Sequence, residues 1–588
     1  GHAPAAALIS PKNGSILSIA ESLTNIIWAP IEGGLQGISL SANWMWPCKN
    51  PGEDARLYEA VKAASDFALA LGINIPTGKD SLSMTQKYGD DEVVYAPGTV
   101  IISAAGEVTD IKKVVEPVIQ NVPDSVFIYV DLSKESFKMG GSSFGQTMNK
   151  LGNETAGVAD PEYFKFAFAS IQKLIHEGLI LAGHDISAGG MITTLLEMTF
   201  AQTEIGLDLD LSAIHESDLI KTLFSQNPGL IIQVKGNGEA IKILEEDGIK
   251  FRKIGKLFSE HKVRIIDIHT KFVLDVEEMR DTWFKTSYLL DTKQSGEKSA
   301  TKRFENYKLN ALNFHFPSNF SGKYEQYGID PNRKTFSGIK AAIIREKGVN
   351  GDREMAWIMH LAGLDVKDVH MTDLISGRET LEDVNMIVFV GGFSNSDVLG
   401  SAKGWAGAFI YNPLAKEALD KFYARKDTLS LGVCNGCQLM IELGVVTSEH
   451  DQKPKMLHNE SGKFESAFLN VDIHENHSVM LSSLAGSKLG IWVAHGEGKF
   501  SLPNEESAYH IPMKFAKSSY PANPNGSDFN TASLCSTDGR HLVMMPHLER
   551  ATYPWNWAYY PSDRKNDEIT PWVEAFVNAR EWVKTNRK

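Results

Sequence analysis

One short run constrains this chain more than any other. Leu429-Ser-Leu-Gly-Val-Cys434-Asn-Gly-Cys-Gln-Leu-Met440 joins an apolar strand pattern to a helical one through a single cysteine, with Gly432 two residues before it and Gly436 two after. G-x-C-x-G at a strand-to-helix junction is the thiol form of the nucleophile elbow. The glycines permit a tight, strained turn, and the turn lifts the sulfur above a sheet. The dipole and free N–H groups of the following helix lower a thiol pKa there and suit an oxyanion. A buried structural cysteine remains the alternative on spacing alone. A zinc site on Cys434-Asn-Gly-Cys437 would need two more ligands, and the four cysteines (Cys48, Cys434, Cys437, Cys535) hold no second pair.

The sequence around the elbow alternates strand and helix patterns from residue 336 on. Ile339–Ile344 reads as a strand. Glu354–Ala362 reads as a helix with Met355, Ile358, Met359 and Ala362 on one face and Gly363 as its stop. Val384–Val390 is an apolar strand ending in Gly391-Gly392, and Thr428–Val433 ends in Cys434. This alternation predicts a mainly parallel, doubly wound sheet over 336–588, with its active site at the carboxyl ends of the strands.

Downstream, His541-Leu-Val-Met-Met-Pro-His547-Leu-Glu549-Arg carries a base and a carboxylate two residues apart after an apolar strand. Along an extended segment both face the same way, as a base and its orienting carboxylate must. A lone histidine is more often structural. His-x-Glu after a strand, in a chain with a thiol elbow, is more specific, and we assign Cys434, His547 and Glu549 as a catalytic triad.

The first half is less legible. Helical periods over Ile16–Ile26, Leu57–Leu71, Phe164–His176 and Met191–Gln202 mix with strand patterns at Ile38, Thr99–Ala105, Val126–Val130 and Leu230–Val234, an α+β or α/β arrangement. We divide it at residue 120 into subdomains 1–120 and 121–275. The polar, uneven stretch 276–335 reads as a linker. Glu21 and Asn25 lie one turn apart on one helix face, a spacing that suits Mg²⁺ but is usually only solvated. His184-Asp-Ile-Ser187-Ala-Gly-Gly190 and Gly78-Lys79-Asp-Ser are each either an anion site or a plain loop. Gly140-Gly-Ser-Ser-Phe-Gly145 lacks a Walker lysine and is not a P-loop.

Five blocks carry a resemblance: Gly391-Gly392-Phe393-Ser-Asn-Ser-Asp-Val-Leu-Gly400, Gly432-Val-Cys-Asn435-Gly-Cys-Gln438, His495-Gly-Glu-Gly-Lys499, Tyr520-Pro-Ala-Asn-Pro-Asn-Gly-Ser527 and Pro546-His-Leu-Glu-Arg550. In order and spacing they resemble the class I glutamine amidotransferases, and within them the large single-chain phosphoribosylformylglycinamidine synthases. Leu548 stands where that family has Pro, and Asn395 where it has an aromatic residue. The resemblance implies a glutaminase whose oxyanion and glutamine pocket is formed by Gly391, Gly392, Phe393, Asn435 and Gln438. It extends to Glu21-Ser-Leu-Thr-Asn25, Ser41-Ala-Asn-Trp44, Pro51-Gly-Glu-Asp54, Gly78-Lys-Asp-Ser81 and His184–Gly190. There it implies Glu21, Asn25 and Asp185 as Mg²⁺ ligands and Ser187, with Lys79, as contacts of an ATP or ADP. The implied fold is an aminoimidazole ribonucleotide synthetase-like half followed by the doubly wound glutaminase. The implied reaction is ATP-dependent amination of formylglycinamide ribonucleotide with glutamine nitrogen. On this reading the chain, which begins Gly-His-Ala-Pro without Met, is a C-terminal piece. Its N-terminal partner half would lie upstream, and self-association is expected through the face that half would cover.

Composition excludes other classes. A net charge of −14 argues against broad nucleic-acid binding. No apolar run is long enough for a membrane helix, and few cysteines without a framework point to a reducing cytoplasm. Two competing readings are a glutaminase serving another acceptor and a nucleotide-binding scaffold with an inactive glutaminase-like domain.

Overall fold

The computed structural model describes residues 1–89, 92–236, 238–268, 270–309 and 311–587. The chain divides into two compact units, Gly1–Phe284 and Lys285–Lys588.

In the first unit, strand Ile38–Met45 is the centre of a three-stranded sheet, parallel to Asn74–Ser81 and antiparallel to Thr99–Gly106. Helices Pro11–Ile26 and Glu53–Leu71 bury Ile16, Ile19, Leu23, Phe67 and Leu71. Ser10 starts the first of them, its side chain accepting from the Asn13 N–H ahead of Pro11. A seven-stranded sheet follows, ordered Lys271–Asp275, Lys262–Ile266, Gly206–Asp210, Phe251–Phe258, Ser125–Asp131, Gly229–Lys235 and Ile180–Asp185. Its pairs are antiparallel except for the one between Gly206–Asp210 and Lys262–Ile266. Helix Pro161–His176 covers one face through Phe164, Phe168 and Ile171, and helix Gly190–Phe200 contributes Leu195 and Met198 to a second core.

The second unit is built on a six-stranded sheet ordered Asp365–His370, Lys340–Arg345, Met386–Phe389, Leu429–Val433, His541–Met544 and Ser533–Cys535. The first five strands are parallel and only the last edge is antiparallel. The central strands are buried throughout, which is why they read as unbroken apolar runs rather than alternations. Beside this sheet, Lys488–His495, Glu465–Ile473 and Met513–Phe515 form an antiparallel sheet.

Residues 276–335, read as linker from their polarity, include a long helix, Val276–Asn306, interrupted at Gly296 (φ 74°). Its large apolar side chains Trp283, Leu289 and Leu290 are exposed. Within the second unit its Asp291 carboxylate is held by Arg303 at 2.8 Å and Lys463 at 2.9 Å, and Arg303 reaches Glu465 at 3.1 Å. Ion pairs rather than apolar periodicity anchor this part of the helix, so a hydrophobic pattern search passes over it.

Candidate active site

Cys434 joins strand Leu429–Val433 to helix Asn435–Leu443 with φ 52° and ψ −106°. A cysteine pays for this conformation in steric strain of the kind that persists at functional sites. The flanking glycines are required by space rather than by φ. A Cβ on Gly432 would lie 2.5 Å from the Gly436 carbonyl oxygen, and one on Gly436 would lie 2.0 Å from the Phe389 carbonyl oxygen. Both close approaches bring helix and neighbouring strand together under the sulfur.

The parallel register then brings the partners in. Leu429–Val433 pairs directly with His541–Met544, and the Cys434 N–H donates to the Met544 carbonyl at 2.9 Å. Chain leaving that second strand reaches His547 three residues on. The His547 N–H donates to the Trp492 carbonyl at 2.8 Å, and its Nδ1 is 2.6 Å from Glu549 Oε1. Both side chains are buried. Gly391 lies against them: a Cβ there would be 2.7 Å from His547 Cε1 and 3.4 Å from the Cys434 Cβ. Burial presses the His547 pKa down, but the charges of Glu549 and Cys434 outweigh it and raise the imidazole to about 9. Among the described residues His547 Nε2 has no hydrogen-bond partner, and the Cys434 thiol donates instead to the Ala494 carbonyl at 3.6 Å. Such contacts commonly tighten only when substrate is bound.

The other glutaminase residues cluster around this centre. The Asn435 Oδ1 accepts from the Ser394 N–H at 3.2 Å, and its Nδ2 donates to Gln438 Oε1 at 3.0 Å. Gln438 Nε2 donates to the Glu497 carbonyl at 2.7 Å. Gly392 takes φ 135°, and a Cβ there would come within 2.4 Å of Val349 Cα. Phe393 is half exposed and packs on Phe464. Asn395, Ser396 and Asp397 take positive φ in succession. Cys437 is fully buried, and burial pushes its thiol well above the ordinary range, with Cys434 adding to the effect. That leaves it a poor nucleophile.

In the first unit, Glu21 and Ser187 line one cavity of about 260 Å³ with Lys138, Gly140, Gly141 and Ser142. The Glu21 carboxylate accepts from the His2 N–H at 2.8 Å. Asp185 is buried and reaches the same helix at Thr24, whose Oγ1 donates to it at 3.3 Å. Asn25 is exposed and donates to the Glu21 carbonyl at 3.0 Å. Lys79 is also exposed, donates to Ser81 at 2.7 Å and is not part of the cavity wall. Among the described residues, no three His, Cys, Asp or Glu side chains are arranged to hold a metal ion. The Gly140–Gly145 run, which has no Walker lysine, and Thr24 both contribute to the cavity wall. No local signal marks either as a cavity wall, because strands and helices distant in sequence create it.

Comparisons with known proteins place three domain types along the chain. Residues 338–583 match the CobB/CobQ-like glutamine amidotransferase domain, 1–107 the FGAR-AT PurM_N-like domain and 129–268 the AIR synthase related protein C-terminal domain. A probable phosphoribosylformylglycinamidine synthase (chloroplastic/mitochondrial) of Arabidopsis thaliana is 39% identical over 100% of this chain and 43% of its own length. Phosphoribosylformylglycinamidine synthases of Dictyostelium discoideum and Homo sapiens are each 37% identical over 99% of the chain, and 46% and 45% of their own lengths. The chain thus spans a little under half the length of these relatives. Among solved structures, "T. maritima PurL complexed with FGAR" overlaps 47% of the chain and 44% of its own at 13% identity, with a TM-score of 0.39. By sequence the chain joins a FGAR-AT PurM_N-like domain and an AIR synthase related C-terminal domain to a doubly wound CobB/CobQ-like glutamine amidotransferase domain, and over its whole length it is similar to phosphoribosylformylglycinamidine synthases.

Proposed function

We propose that the chain hydrolyses glutamine at Cys434 and supplies half of a synthase core that passes the ammonia to formylglycinamide ribonucleotide in an ATP-dependent reaction. The assembly of Cys434, His547 and Glu549 at the strand-to-helix elbow carries the reading. Glu549 holds the imidazole by Nδ1 and stabilises its charged form, the usual task of the third member of a triad. Nε2 then faces the thiol. Cys434 sulfur attacks the side-chain carbonyl carbon of glutamine, and the C–N bond breaks as Nε2 gives its proton to the departing nitrogen. A thioester and ammonia result, and water then cleaves the thioester to glutamate. The N–H groups of Gly392 and Asn435 are the candidate oxyanion donors. Asn435 and Gln438 tie the elbow helix to the Ser394 and Glu497 loops, and Phe393 with Phe464 walls the pocket.

The first-unit cavity fits a phosphate-bearing ligand: Lys138 supplies charge, Ser142 and Ser187 supply hydroxyls, and Glu21 offers hard oxygens of the kind Mg²⁺ takes, while the buried Asp185 meets the Glu21 helix at Thr24 and would have to turn to join them. Mg²⁺ with ATP or ADP would bind there, the ion neutralising phosphate charge. Asn25 and Lys79 would have to turn toward the ligand to join. An N-terminal partner half, a cytoplasmic location and self-association complete the proposal. All four cysteines are free, which suits a reducing compartment. No helix among the described residues is long and apolar enough to cross a membrane. The test is glutamate release by the purified chain. Cys434→Ala abolishes it and Cys437→Ala leaves most of it, while the reverse pattern would overturn the assignment.

A further inference from the structure

The segment expected as a linker folds back on itself. Asp291 and Arg303 are 12 residues apart, about 18 Å along a straight helix, yet their side chains meet at 2.8 Å. The break at Gly296 (φ 74°, ψ 158°) allows this, in a backbone conformation essentially reserved for glycine. Tyr288 and Phe304 stack across the resulting helical hairpin with ring centroids 4.9 Å apart, and the Tyr288 hydroxyl lies 3.2 Å from Thr301 Oγ1. The hairpin grips one short loop twice. Lys463 Nζ donates to Asp291 Oδ1 at 2.9 Å, and Arg303 donates to Glu465 at 3.1 Å. Tyr520 completes the second grip: its hydroxyl donates to Glu465 Oε1 at 2.9 Å, and its ring lies 4.9 Å from the Arg303 guanidinium. Asp291 and Glu465 are buried, so salt screens these pairs little and a partner left alone is destabilising.

The residue between the two grips is Phe464, whose ring packs on Phe393 with centroids 6.1 Å apart. Phe393 stands two residues after Gly391, where a Cβ would lie 3.4 Å from the Cys434 Cβ and 2.7 Å from His547 Cε1. The same loop is also tied to the centre from within. Asn459 Nδ2 donates to the Lys463 carbonyl at 2.9 Å and to the His495 carbonyl at 2.7 Å. Glu465 and Ser466 pair with His495 and Ala494 across the antiparallel sheet, and the Ala494 carbonyl accepts from the Cys434 thiol. Among the described residues, Asp291, Arg303, Lys463 and Glu465 make no hydrogen bond or ion pair with the triad. We propose that this helical hairpin is a positioning element of the glutamine pocket: Asp291 and Arg303 hold Phe464 against Phe393 and so fix the wall against which glutamine binds. The inference rests on the glutaminase reading. Because the grips act on the wall and not on the reacting groups, losing them weakens the binding of glutamine and of its transition state alike, which raises KM and leaves kcat.

Glutamate release by the purified chain tests this. Asp291→Asn raises the KM for glutamine about fivefold, the weight of one aromatic contact, with kcat unchanged. Phe464→Leu raises it to the same degree. The Asp291→Asn/Phe464→Leu double variant goes no higher, since both changes act through one ring. Alkylation of Cys434 is followed in parallel. Iodoacetamide, which needs no glutamine pocket, keeps its rate in all three variants, while a glutamine-analogue chloroketone slows as KM rises. An unchanged KM in Asp291→Asn overturns the proposal. So does a double variant whose effects add, which makes the hairpin a support independent of Phe464, or slowed iodoacetamide alkylation, which makes it general scaffold. A parent chain in which the chloroketone labels Cys434 no faster than iodoacetamide sinks the glutaminase reading as well.

Discussion

Replacing Glu549 by Gln tests the charge logic of the triad with little change of shape. The glutamine side chain keeps an oxygen for the His547 Nδ1–H but removes the negative charge. The site is fully buried and Glu549 Oε2 has no hydrogen-bond partner among the described residues, so solvent does not replace what is lost. In the native site the imidazole is lifted from 6.5 to about 9, against burial that presses it down. At 1.36 kcal/mol per pKa unit that is about 3 kcal/mol in favour of the imidazolium, roughly two orders of magnitude in its population, with Glu549 the larger and Cys434 the smaller charge behind it. The imidazolium persists below about pH 9 in the parent and is lost above it. Without the carboxylate only Cys434 opposes burial, so the His547 pKa falls and the imidazolium is depleted in the neutral range. Glutamate release at neutral pH should therefore drop at least a hundredfold in kcat/KM (about 3 kcal/mol), and the pH profile of Cys434 alkylation should shift. A Glu549→Gln variant within threefold of the parent, with an unchanged alkylation profile, would refute the argument that this carboxylate charges His547.

Three further outcomes follow from the geometry. Cys434→Gly abolishes turnover but raises stability by roughly 1–3 kcal/mol in denaturant titrations, because glycine takes φ 52° without strain; equal or lower stability would show that no strain is stored at the elbow. His541 is buried beside Ser430, and burial with Arg540 lowers its pKa to about 4. The unfolded chain binds that proton first, so stability is full above pH 6.5 and is lost as pH falls toward 4, by up to about 3 kcal/mol. His541→Gln should flatten the slope of denaturation midpoint against pH over that window, and a parallel slope would contradict the assignment. Finally, ADP with Mg²⁺ should raise the thermal midpoint of the chain, and Ser187→Ala or Glu21→Gln should reduce that rise without altering glutamate release; equal stabilisation of both variants would place the nucleotide elsewhere.

Much of the chemistry was legible in one dimension because it rests on local sterics and short spacings. Gly432 and Gly436 around Cys434 announce a turn that only glycine has room for, and His-x-Glu after an apolar strand names a base and its carboxylate, although Glu549 reaches His547 from the 3-10 turn Leu548–Ala551 and not along the extended segment that the spacing predicts. Buried parallel strands betray themselves as unbroken apolar runs, so the order of elements after residue 336 could be read as a doubly wound sheet. The helix Val276–Asn306 could not, since ion pairs to Lys463 and Glu465 anchor its second part. What joins the site was equally hidden. The pairing of Leu429–Val433 with His541–Met544 brings residues more than a hundred apart into contact, and the neighbouring sheet sets the Trp492 and Ala494 carbonyls against the centre. The cavity that gathers Glu21, Lys138, Gly141 and Ser187 is likewise a product of two sheets and their helices. Residue types and short periods declare which groups are capable of chemistry. Strand order and packing decide which of them meet, because the contacts that hold those groups join segments that carry no mark of one another in the sequence.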